Sequence, residues 1–150
     1  MAIVFEHGID LPQSPHQVFT LLDDFSKTPL WLERCEGVVK HGTGPHAAGD
    51  KLRYAYKEGG HHGVMDGVIV AYEPDAHLSY HYRDTLMAVA VDFRLTMQGE
   101  GTHLLHRIEI APQSFIAKLM APLIRSKLPK QTITAMENLR RLLAREMVAA

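Results

Sequence analysis

Two histidines, His7 and His106, each stand where an apolar side chain belongs. His7 keeps step with Ile3, Phe5 and Ile9, and His106 with Leu104, Ile108 and Ile110, in segments whose polarity alternates with period two. An imidazole on the apolar face of a strand can hydrogen-bond a ligand, titrate near neutrality, or lend nitrogen to a metal. Zinc takes three or four ligands, and neither HxH nor HExxH spacing occurs to supply a third, so no metal and no cofactor is expected. What remains is a polar spot in a binding site, an acid/base pair, or two core histidines satisfied by their surroundings.

Tyr54, Tyr56, Tyr80, Tyr82 and Phe93 are the candidate aromatic lining, with Met120 from the terminal helix. Rings supply apolar area, and a buried tyrosine hydroxyl needs a partner, so several on one concave face suit a mostly apolar ligand that carries oxygen. Trp31 either rims the entrance or anchors the short helices before it. His61-His62, with His41 or His46, reads as exposed turn histidine, and Asp66 can be assigned to either face of its strand. Asp92, Arg94, Arg107 and Glu109 form an outward charge ladder. Cys35 has no partner motif, GxSxG is absent, and the Gly42-Thr43-Gly44 and Gly99-Glu100-Gly101 turns lack the spacing of a phosphate loop.

The elements that must position these residues are legible from pattern. Residues 2 to 11 alternate as a half-buried strand; Ser14-Pro15-His16-Gln17 then opens a short helix, with Ser14 as cap, Pro15 at the first helical position and Gln17 closing a capping box. A second turn of helix carries Leu30, Trp31 and Leu32. Strands are expected at about 34–41, 50–57, 62–73, 77–84, 86–98 and 102–111, separated by Gly44-Pro45 with Gly49-Asp50, Glu58-Gly59-Gly60, Glu73-Pro74-Asp75 and Gly99-Glu100-Gly101. A helical run from about Ser114 to Met147 follows. Phe115, Leu119, Leu123 and Ile124, then Ile133, Met136, Leu139, Leu142 and Leu143 read as one apolar stripe facing the sheet. Pro122 and Pro129 imply a kink, or an irregular start before a main run from about Pro129.

In this order, Ser14-Pro15 with Val18-Phe19, Asp23 through Trp31, Gly44 to Gly49, Glu73-Pro74, and Gly99-Glu100-Gly101-Thr102 resemble the START-like or Bet v 1-like superfamily, in particular its bacterial polyketide cyclase/dehydrase and lipid-transport branch. The resemblance spans nearly the whole chain. It implies an α+β helix-grip fold: a seven-stranded curved antiparallel sheet wrapped around a long C-terminal helix, with two short helices after the first strand and an apolar cavity between. It also places the first and last strands side by side, which would bring His7 and His106 within cross-strand reach.

At 150 residues and a formal net charge of −1, the chain reads as one domain, 1–150, with no overall electrostatic footprint for nucleic acid. The N-terminus MAIVFEHGIDL lacks the basic and apolar stretches of a signal peptide, and one cysteine fits a reducing compartment, so cytoplasm is the default expectation. Residues 113 to 146 carry a net +5 against −6 for the residues before them, which allows a transient contact with a membrane surface. The sequence sets no oligomeric state. Binding or transport of a hydrophobic small molecule (lipid, isoprenoid or polyketide-like) is the leading expectation, without catalysis. The alternatives are a cyclase, aromatase or dehydratase in which His7 or His106 moves a proton, and a protein-interaction module using the basic helix.

Overall fold

The computed structural model of the chain describes residues 2–58 and 60–149, so the Gly59 part of the expected turn lies outside the described residues. The elements are β1 (Ile3–Leu11), α1 (Pro15–Asp23), a 3-10 turn (Phe25–Lys27), α2 (Thr28–Trp31), β2 (Cys35–Lys40), β3 (Lys51–Glu58), β4 (His61–Glu73), β5 (His77–Arg83), β6 (Met87–Gln98), β7 (Gly101–Pro112), α3 (Phe115–Leu119) and α4 (Ala121–Ala149). All seven strands form one antiparallel sheet in the order β1-β7-β6-β5-β4-β3-β2. The two strands that flank the short helices in sequence therefore sit at opposite edges. The fold is the helix-grip α+β architecture with a long C-terminal helix.

Local chemistry explains the first turns. The Ser14 hydroxyl accepts from Gln17 N, and Gln17 Oε1 accepts from Ser14 N at 2.9 Å, a reciprocal capping box that starts α1 and buries Val18, Phe19, Leu21 and Leu22. Strand β7 alternates strictly, with Thr102, Leu104, His106, Ile108 and Ile110 buried and their neighbours half-buried. Strand β4 is less regular. A register shift between Ile69 and Ala71 leaves Val70 as an extra, exposed residue, and the inward set is Met65 and Ile69. Asp66 accordingly points outward, in register with Arg53 of β3 and Arg83 of β5.

The terminal helix departs from the expected stripe. Phe115, Leu119, Leu123 and Ile133 are exposed, and the face that meets the sheet and α2 runs through Ala117, Ala121, Ile124, Leu128, Thr132, Ala135, Met136, Leu139, Leu142 and Leu143. The break also lies earlier than expected. It falls at Met120, whose N–H reaches back to the Ile116 and Ala117 carbonyls, and α4 runs on through Pro129. Pro122 is harmless in the first turn, where its missing N–H would have had no intrahelical partner.

Candidate functional site

Between the sheet, α2 and the α3–α4 break lies a cavity of about 540 Å³. Strands contribute Tyr54, Tyr56, Met65, Tyr80, Tyr82, Val89, Val91, Phe93, His106, Ile108 and Ile110; the helices contribute Trp31, Ile116, Ala117, Met120, Leu123, Ile124 and Lys127. The volume falls within the usual range for small-molecule sites, and the walls are mostly apolar. Of the residues singled out from sequence, the tyrosines, Phe93, His106 and Met120 line it. His7 does not.

The histidine pair separates into two environments. His7 and His106 are Cα partners in the β1–β7 ladder, so both side chains leave the same face. Helix α4 packs against β1, however, so the edge that carries His7 is covered by helix instead of opening on the hollow. There the half-buried His7 stacks on Phe5. His106, one strand further in, is 5% exposed and lies flat on Phe93, with ring centroids 4.4 Å apart. Neither of its ring nitrogens has a hydrogen-bond partner among the described residues. Burial pushes its imidazole down to about 3; the Arg34 guanidinium and His7 act in the same direction, and Asp92 opposes them. His106 is therefore a neutral imidazole at any physiological pH.

A run of rings connects this spot to the cavity mouth. Phe93 meets Tyr80 at 6.3 Å, Tyr80 meets Tyr82 at 5.2 Å, Tyr82 stacks on Tyr54 at 4.6 Å, and Tyr54 stacks on Tyr56 at 6.0 Å. Burial raises the pKa of Tyr54, Tyr80 and Tyr82, so all three remain protonated donors. Tyr56 is pushed up to about 12 by burial and by Asp84, whose carboxylate accepts its hydroxyl at 3.1 Å. Two glycines on β4 make room for the outer rings. A Cβ on Gly63 would lie 2.6 Å from the Tyr56 hydroxyl oxygen, and one on Gly67 would lie 2.7 Å from Tyr82 Cε1.

Trp31 anchors α2 and also contributes to the wall. It is 2% exposed, meets Phe93 edge-on at 6.1 Å, and its indole N–H has no partner among the described residues. Phe93 is thus flanked by an indole donor and an imidazole that can donate at one nitrogen and accept at the other. Sequence reasoning missed Arg34. It lines the cavity and donates to Gln131 Oε1 at 2.6 Å, and Gln131 donates in turn to Glu58 at 3.1 Å. No local motif marks that chain, because its members are brought together only by the fold.

The remaining histidines are mostly committed elsewhere. His46 pairs with Asp23 at 2.6 Å while Tyr72 donates to the same carboxylate, which ties the 41–50 loop to α1. His62 pairs with Glu36, His77 with Asp92 and His103 with Asp10. Among the described residues, no three metal-type side chains converge, and no helix is long and apolar enough to cross a membrane. Cys35 is buried, and its thiol is pushed up to about 11 by burial.

Among solved structures, the chain is similar to a START superfamily protein from Mycobacterium smegmatis, with a TM-score of 0.78, 12% identity, and coverage of 95% of this chain and 97% of that one. The Zhui aromatase/cyclase from Streptomyces sp. R1128 gives a TM-score of 0.79 at 12% identity, covering 98% and 96%. Ara h 8.0201 gives 0.70 at 14% identity, covering 96% and 99%. At such identities the likeness is one of fold. Comparison with curated proteins by sequence finds no significant match. The family model described as polyketide cyclase / dehydrase and lipid transport matches residues 2–144, and the chain belongs to that family.

Proposed function

We propose that the protein binds and carries an uncharged, mostly apolar small molecule whose oxygen atom pairs with His106. The observation that carries this reading is the buried imidazole in the cavity wall, whose two nitrogens are shut off from water and find no hydrogen-bond partner among the described residues. A buried polar group left unpaired costs about 1–3 kcal/mol, which a ligand oxygen at this spot would recover. The indole N–H of Trp31, edge-on to Phe93, is a second buried donor in the cavity wall. The tyrosine ladder supplies flat apolar surface along the rest of the cavity, which suits a ring compound, an isoprenoid or an acyl chain.

The similarity to an aromatase/cyclase supports a second reading, in which the cavity holds a polyketide chain while it cyclises. The electrostatics favour carriage. A general base works best with a pKa near the working pH, and an imidazole held at about 3 is a weak proton acceptor at neutrality.

Native mass spectrometry of freshly purified protein tests the proposal. A bound apolar mass that organic solvent removes is the expected result. An empty protein whose His106 resonances stay unmoved by fatty acids, isoprenoids and aromatic polyketides would overturn it. Turnover of a polyketide that is lost in His106→Ala would instead establish the enzyme.

A further inference from the structure

The break at Met120 leaves bulky apolar side chains in the open. Phe115 is 75% exposed, Ile116 65%, Leu119 66%, Met120 45% and Leu123 50%. Their spacing of i, i+4 and i+8 places Phe115, Leu119 and Leu123 on one side of the helical path, with Ile116 and Met120 beside them. Ile116, Met120 and Leu123 also line the cavity, so this surface is the outer lip of its mouth. Farther along α4, Leu128, Ala135, Met136 and Leu139 are buried in the ordinary way and Ile133 alone of the large apolar side chains described there is exposed, at 40%, so most of the exposure lies at the entrance.

Along the helical side of the lip the charge has one sign. From Gln113 to Met136 the sequence holds Lys118, Arg125, Lys127 and Lys130 and no Asp or Glu, and all four cations are exposed. Across the mouth stand Glu58, which accepts from Gln131, and His61. We propose that this lip docks on membranes that carry anionic lipid. Phe115 and Leu119 would sink into the boundary between headgroups and acyl chains while the lysines stay among the headgroups, presenting the open cavity to the bilayer. A soluble acidic partner would satisfy the lysines alone. A bilayer with anionic headgroups accounts for both the lysines and the exposed phenylalanine and leucines.

The test is co-sedimentation of the full chain with phosphatidylcholine vesicles, with and without phosphatidylglycerol. Binding is expected only with phosphatidylglycerol, and it should weaken as salt rises. Phe115→Ser with Leu119→Ser should lower partitioning by about tenfold or more, since both side chains would otherwise leave water. Lys118→Gln or Lys130→Gln should each cost roughly fivefold. Phe115 and Leu119 are not part of the cavity lining, so the double variant should keep its circular dichroism and any cavity ligand seen by native mass spectrometry. That separates failure of docking from failure of the binding proposal. Absence of vesicle binding, binding indifferent to phosphatidylglycerol, or an unaffected double variant would overturn the inference. So would lysine-dependent retention of purified acyl carrier protein by a chain that ignores vesicles.

Discussion

Replacing His106 with phenylalanine should make the unliganded protein more stable, increasingly so as the pH falls. Phenylalanine keeps a flat ring against Phe93, where the imidazole now lies at 4.4 Å, and removes two ring nitrogens that have no partner among the described residues. That alone should gain about 1–3 kcal/mol at pH 7. The pH term has a definite sign. The unfolded imidazole takes up its proton near 6.5, while the folded one resists until about 3, so its contribution to stability is full above 6.5 and is lost as pH falls toward 3. Between pH 8 and pH 5 the wild type should lose roughly 2 kcal/mol from this residue, a loss the variant escapes. For a chain of this size that corresponds to a relative Tm shift of about 4–8 °C. Urea unfolding of both proteins at pH 8, 7, 6 and 5 measures it, because every other titrating group cancels in the difference. A difference that stays flat with pH would refute the buried neutral imidazole. His106→Leu removes the same titration with a smaller side chain, and guards against a phenylalanine that fits poorly.

Other substitutions probe the parts that hold the cavity open. Gly67→Ala should destabilise by about 1–3 kcal/mol in urea titration and blue-shift the fluorescence of any bound environment-sensitive dye, because its Cβ would lie 2.9 Å from the His81 carbonyl oxygen and push the Tyr82 ring inward. Leu139→Ala, at a fully buried position of α4, should cost about 2–5 kcal/mol by chemical denaturation. Ser14→Ala, which breaks the capping box of α1, should cost about 1 kcal/mol in the same assay. Cys35 should resist thiol reagents in native buffer at pH 8 and react once urea unfolds the chain; rapid labelling of the native state would contradict its burial.

Strands were the most legible feature of the sequence because a half-buried strand writes its facing in every second residue. Strand β7 is the clearest instance, and the inward parity of His106 followed from Leu104 and Ile108. Strand β4 is ambiguous because both of its faces are apolar, Val64, Val68 and Val70 on the outer side against Met65 and Ile69 on the inner, so that only the register with Arg53 and Arg83 fixes Asp66. The terminal helix misled for a different reason. Its inward face begins with Ala117 and Ala121, which fit close to other elements, while the bulky Phe115, Leu119 and Leu123 lie on the other side. Periodicity reports that a helix has an apolar stripe, and a second stripe at the same period conceals which one is covered. Parity likewise put His7 and His106 on one face but carried no information about α4, which covers the edge strand and leaves only His106 in the cavity wall.

The sheet order has a consequence for synthesis on the ribosome. Strand β1 pairs only with β7, so Ile3 must wait for Ile110 before its backbone finds a partner. Strands β2 to β6 can zip up as a meander while the chain emerges, and during that time β1 is a free strand edge tethered to it through α1 and α2. The core closes later still, when Leu139, Leu142 and Leu143 of α4 arrive. Folding should therefore be slow for the chain's length, because its decisive contacts span most of the sequence. No ligand can be enclosed before that stretch of α4 has emerged, so loading waits on the last core residues to be made.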